Sequence, residues 1–170
     1  MKTYNLTLTA LFATITAVCS WITIPLPFTP VPINMATFAV IISGLVLGPK
    51  YGTISQLLYI FLGMVGLPVF SGFTSGIGII LGPTGGYLIS YILIALIVGA
   101  SKNFNIIIGL ILGTMTCYFF GSIWFMVLTG SNFTTTIALC VIPFILGDTL
   151  KLLLAYYLFK KIPGRYIITE

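Results

Sequence analysis

Histidine is missing from this sequence altogether, and its acidic side chains number two against seven basic ones. General acid and base chemistry leans on such groups. No serine or cysteine stands beside a base that could activate it, so hydrolysis and acyl transfer have no machinery here and the chain does not read as an enzyme. The three cysteines, Cys19, Cys117 and Cys140, fall in separate apolar runs without CxxC or other ligand spacing, as small buried apolar groups do. No metal and no resident cofactor is expected. A G-x-x-x-x-G-K-[ST] stretch is absent, and with it a phosphate-cradling loop for ATP. There is no internal repeat, which removes the usual basis of an alternating-access carrier. If the chain moves a solute, a partner must supply the energy. The N-terminus lacks a small-residue cleavage pattern, so it reads as a first span and not as a removed signal.

Apolar residues dominate what remains. Hydrophobic types make up 59% of the 170 residues and charged ones 5%, with a mean hydropathy of +1.20. Such a chain cannot present a hydrated surface, and its solvent is the lipid bilayer. At about 20 residues per spanning helix, the length accommodates six spans in one all-α integral membrane domain. The expected spans are 6–24, 33–47, 51–67, 84–100, 104–128 and 134–160, the last broken near Pro143. The proline-dense stretch from Pro25 to Pro32 cannot be helical, and Gly48-Pro49 stops the second span. The glycine-rich stretch 69–86 is too long for a simple turn and should fold back against the bundle.

The basic residues test this count. Lys2, Lys50, Lys102, Lys160, Lys161 and Arg165 all fall on one side of a six-span arrangement, while the opposite loops carry no charge. The positive-inside rule then places both termini in the cytoplasm. Net charge of +5 therefore reflects topology and not affinity for nucleic acid. Lys151 alone disobeys. It lies nine residues before Lys160, about 13 Å deeper along a helix. Asp148 stands three residues earlier, on the same helical face. An ionised residue deep in a bilayer costs roughly 2.5 to 3.5 kcal/mol on insertion scales, so the pair marks a candidate site in the outer half of the bundle. The bland reading is a structural ion pair in a membrane scaffold that transports nothing.

The stretches Phe28-Thr-Pro-Val-Pro-Ile33, Gly44-Leu-Val-Leu-Gly-Pro49, Leu81-Gly-Pro-Thr-Gly-Gly-Tyr-Leu88 and Pro143-Phe-Ile-Leu-Gly-Asp-Thr-Leu-Lys151, in that order, resemble those of the BioY family. Members of that family are biotin-specific S components of energy-coupling factor (ECF) transporters. The resemblance covers about residues 6–160. It implies the six-helix S-component fold, located in the cell membrane. It also implies biotin as ligand, and as partners a transmembrane T component and two ATPases. One departure is visible: Asn34-Met-Ala-Thr37 stands where relatives often carry Thr-Leu-Gln-Thr, so that glutamine's contacts are lost or pass to Asn34 or Gln56. A stand-alone secondary vitamin carrier is the main competing function.

Biotin's cyclic urea offers two N–H donors and a carbonyl acceptor, which Asp148 and Lys151 complement. Its valerate carboxylate needs donors of its own. Thr84, Gly85 and Gly86 open the fourth span and offer backbone N–H groups suited to an anion, although Lys151 could serve that end instead. Phe28, Tyr59, Phe70, Phe73 and Tyr87, with Gly76 and Gly78, are candidate walls. In span one, Ala10, Ala13 and Ala17 form a small-residue pattern. It serves either internal packing or, as the family resemblance implies, docking on the T component.

Overall fold

A computed structural model describes residues 3–102, 104–164 and 167–168. Lys2 and Arg165, used above in the charge argument, lie outside the described residues. The chain is mostly helical. Four helices are long and apolar enough to cross a membrane: α1 (Thr3–Trp21), α2 (Ala36–Met64), α5 (Ile106–Thr129) and α7 (Ile142–Lys161). A fifth, α4 (Gly85–Ser101), is apolar but shorter. Their outward faces are studded with exposed leucine, isoleucine and phenylalanine, the surface a lipid solvent requires.

The 29-residue helix α2 is two helices in space. Gly48 breaks it with φ 79° and ψ 179°, outside the helical region and in a φ range that favours glycine, and Pro49 follows directly. Thirteen residues of straight helix would separate Ser43 from Gln56 by about 20 Å. Instead the Gln56 Nε2 donates to Ser43 Oγ at 3.0 Å. The two legs, 36–47 and 49–64, therefore run antiparallel, as the Gly-Pro stop signal predicts. Small residues let them close up: a Cβ added to Gly52 would lie 3.1 Å from the Gly44 Cα, and one on Gly99 of α4 would lie 2.5 Å from the Pro49 nitrogen.

Between α1 and α2 the proline-dense stretch forms an antiparallel hairpin, β1 (Thr23–Leu26) and β2 (Thr29–Asn34). The strands pair Thr23 with Asn34 and Ile24 with Ile33, and the register slips before Leu26 pairs with Thr29. Pro25 sits at that slip, where its missing N–H costs no ladder bond. Sequence reading excluded helix here but did not anticipate paired strands.

The glycine-rich stretch does fold back on the bundle. A 3-10 turn (Ser71–Phe73) leads into the one-turn α3 (Ile77–Ile80), and Val69, Phe70 and Ile80 are buried. Asn105 caps α5 by accepting from Ile107 N at 3.0 Å, and Asn132 caps α6 (Phe133–Cys140) by accepting from Thr135 N at 2.8 Å. The last span is interrupted at Val141, with φ −127° and ψ −59°, two residues before Pro143.

This connectivity sorts the molecule into two ends. The β hairpin and the segment 65–84 flank the α2 legs at the end away from Lys50. Lys102 closes α4 and Lys160 and Lys161 close α7, at the same end as Lys50. There Lys102 Nζ donates to the Ile168 carbonyl, and Ile168 N donates to Val46 O at 2.8 Å. Among the described residues, Lys151 is the sole basic side chain away from that end.

Candidate functional site

A cavity of about 250 Å³ opens among the elements at the end without surface lysines. Pro30, Val31, Pro32 and Asn34 come from the hairpin, and Thr37 comes from the first turn of α2. Phe70, Ser71, Thr74, Ile79 and Thr84 come from the folded-back segment. Three helices complete the wall: α4 with Tyr87, Leu88 and Tyr91, α5 with Cys117 and Tyr118, and α7 with Phe144, Asp148 and Lys151. Tyr91 stands four residues after Tyr87 and three after Leu88, which puts it on the same helical face as both.

The floor is charged. Lys151 Nζ donates to Asp148 Oδ1 at 2.8 Å and to Thr37 Oγ1 at 3.1 Å. Tyr118 donates its hydroxyl to Asp148 Oδ2 at 2.7 Å. The two charged side chains are only 8% and 13% exposed. A buried ion pair repays its desolvation only when further hydrogen bonds fill its remaining valences. Thr37 and Tyr118 do this in part. Two of the three ammonium donors are used, and each carboxylate oxygen has accepted one bond where it can accept two. The floor therefore keeps both donor and acceptor capacity for a polar guest. Above it the wall is mostly apolar, with Asn34 Nδ2 tied to Ser71 Oγ at 2.8 Å across the hairpin and the folded-back segment. Tyr87 spends its hydroxyl on the Cys140 carbonyl at 2.9 Å, one of the acceptors freed by the break at Val141. Among the described residues no group of three histidine, cysteine or acidic side chains could hold a metal ion.

Of the residues singled out from sequence, Asp148, Lys151, Thr84, Tyr87, Phe70 and Asn34 line the cavity. Others do not. Gly85 and Gly86 are close-packing positions: a Cβ on Gly85 would lie 1.7 Å from the Ile80 carbonyl, and one on Gly86 would lie 2.3 Å from Trp124 Cβ. Of the three N–H groups expected to form an anion cradle, that of Gly85 is spent on Gly82 O at 3.0 Å. Tyr59 is fully buried behind the wall, edge-on to Phe70 and stacked on Tyr91. Phe28 is exposed at the hairpin turn. Phe73 is also exposed, stacked on Trp21 with ring centroids 4.9 Å apart. Gly76 and Gly78 shape the folded-back segment without lining the cavity, Gly76 N donating to Gly63 O at 2.8 Å. Gln56 sits in the core beside α1 and leaves Asn34 as the amide at the cavity.

The small-residue face of α1 divides in the structure. Ala13 and Ala17 are 1% and 5% exposed and belong to the main core, so internal packing claims them, whereas Ala10 faces outward. Sequence reasoning missed Thr37, Tyr91 and Tyr118. The available signal was a polar group inside an apolar helix, in the first turn of α2 for Thr37 and in mid-span for the two tyrosines.

A bundle with lipid-compatible flanks and a solute-sized cavity, apolar above and charged below, is a membrane protein of the small-molecule-binding class. The sequence profile described as the BioY family matches residues 1–167. The chain belongs to the BioY family. It is 38% identical over 164 residues to the probable biotin transporter BioY of Pyrococcus horikoshii, covering 96% of this chain and 99% of that one. It is 33% identical over 159 residues to biotin transporter BioY2 of Lactococcus lactis, covering 90% and 86%. A crystal structure of the S-component for biotin from an ECF-type ABC transporter superposes with a TM-score of 0.85 at 29% identity, covering 96% of this chain and 95% of that one.

Proposed function

We propose that the chain captures biotin in the cavity above Asp148 and Lys151 and serves as the substrate-binding subunit of an ECF-type transporter. The charged floor of an otherwise apolar cavity carries this reading. Biotin has matching parts: a ureido ring that both donates and accepts, and a thiophane and alkyl chain that want apolar walls. The ureido ring meets Asp148 and Lys151, where hydrogen bonds to charged partners in a water-poor site are strong. The valerate chain runs toward Ser71, Thr74 and Thr84. Membership of the BioY family, the relatives described as biotin transporters and the likeness to a biotin S-component support the ligand.

In this reading the two legs of α2 count separately, and α6 with α7 makes one broken span, giving six crossings of the plasma membrane by a single domain. The described lysines at the far end mark the cytoplasmic side, so the cavity faces outward and both termini face the cytoplasm. Movement of the ligand relies on a transmembrane T component and two ATPases.

Titrating biotin into the purified chain in detergent tests the reading directly. Saturable one-to-one binding, weakened by Lys151→Ala, is the expected result. An isotherm with no saturable component would overturn it. Uptake by membranes that contain this chain without any ATPase would favour the stand-alone carrier.

A further inference from the structure

A second cavity of about 10 Å³ lies directly beneath the charged floor. Thr37, Cys117, Asp148 and Lys151 border both cavities, so the ion pair is the partition between them. The other lining residues are Ile41, Ile94, Thr114 and Leu152. Each stands one turn or less beyond an upper-cavity residue toward the lysine-rich end: Ile41 after Thr37, Ile94 after Tyr91, Leu152 after Lys151, and Thr114 one turn before Tyr118 on the oppositely directed α5. Four helices thus agree on its depth.

About 10 to 15 Å³ of probe volume holds one water, provided two to four polar partners surround it. The partners are present. The Thr37 hydroxyl, which accepts from Lys151, donates to no acceptor among the described residues. Asp148 has an unused lone pair on each oxygen, and Thr114, whose hydroxyl donates to Leu110 O at 3.0 Å, has free lone pairs. A cation would sit against the Lys151 ammonium, and an apolar occupant would leave these groups unmatched.

We propose that one water molecule is bound beneath the Asp148–Lys151 pair, coordinated by Thr37, Thr114 and Asp148, and that Thr114 is a positioning residue for the floor of the binding site. The water accepts from the Thr37 hydroxyl and donates to Asp148 and Thr114, which leaves the third Lys151 N–H for the ligand. It holds the carboxylate and ammonium in place from below, so the upper valences stay directed at the ligand. Thr114 touches no ligand and acts only through this water.

The consequence for affinity rests on the biotin reading; the water itself does not. A crystal structure of the full chain at about 2 Å or better should show a single density peak within hydrogen-bond distance of Thr114 Oγ1 and Asp148, with or without biotin. Thr114→Val preserves volume and removes the polar partner. It should abolish that peak and weaken biotin binding about fivefold, the scale of one neutral hydrogen bond. Thr114→Ser should restore affinity. No peak in the wild-type density overturns the site, and wild-type affinity in Thr114→Val overturns the positioning role. Wild-type protein that binds no biotin while showing the peak refutes the ligand reading alone.

Discussion

Two clusters of buried polar side chains lie in this bundle, and they are built on opposite terms. Around Gln56, the amide Nε2 reaches Ser43 and Thr16 at 3.0 and 3.3 Å, and each hydroxyl donates onward to its own helix, Thr16 to Phe12 O and Ser43 to Val40 O. That cluster is sealed between α1 and the two α2 legs, and no ionised group takes part. Around Asp148 an ion pair on α7 is joined by neutral hydroxyls from two further helices, and part of the pair's bonding capacity points into a cavity. The first cluster fastens helices. The second turns its spare capacity toward a cavity, where a guest can relieve the cost of burial.

The largest expected effect attacks the charged cluster. Asp148→Ala leaves the Lys151 ammonium buried without its counter-ion; removing one partner of a buried pair costs about 3 to 5 kcal/mol. Thermal unfolding should register most of that loss, and biotin affinity, read by titration, should fall more than about 100-fold. Unaltered affinity would erase the distinction between the clusters. Next comes Ala13→Trp, which forces an indole into the closely packed face of α1. Overpacking of this kind costs about 1 to 3 kcal/mol, whereas Ala10→Trp on the exposed face should stay within about 0.5 kcal/mol; unfolding midpoints of the two variants compare them.

Gln56→Leu gives a smaller effect. Thr16 and Ser43 keep their backbone acceptors, and the Gln56 Oε1, which has no partner among the described residues, is removed with the amide. Stability should change by no more than about 1 kcal/mol and biotin affinity not at all; a marked loss of binding would place Gln56 in the site. Phe73→Ala should alter biotin affinity less than about twofold, since the ring stacks on Trp21 outside the cavity.

Much of this was legible in the residues. Gly48-Pro49 announced the reversal of α2, Pro143 the break in the last span, and the i,i+3 spacing of Asp148 and Lys151 their contact, because each is a local signal. Tyr118 and Thr37 lie 30 and 114 positions from their partners in the floor, and no periodicity reports proximity of that kind. The glycines misled for a related reason. Gly85 and Gly86 have the form of an anion cradle, but Trp124, some 40 positions onward, takes the space their missing side chains leave. Ala13 and Ala17 fit either an inner or an outer interface, and the rotation of α1 decides between them.

The chain contains two tryptophans. Trp21 Nε1 donates to Pro68 O at 2.9 Å, and Trp124 Nε1 donates to Gly82 O at 2.9 Å. Each indole thus grips one end of the folded-back segment that supplies five of the cavity's lining residues. The unlabelled protein is in this respect its own optical probe, for any rearrangement of that segment alters the surroundings of both fluorophores and shows in the native emission.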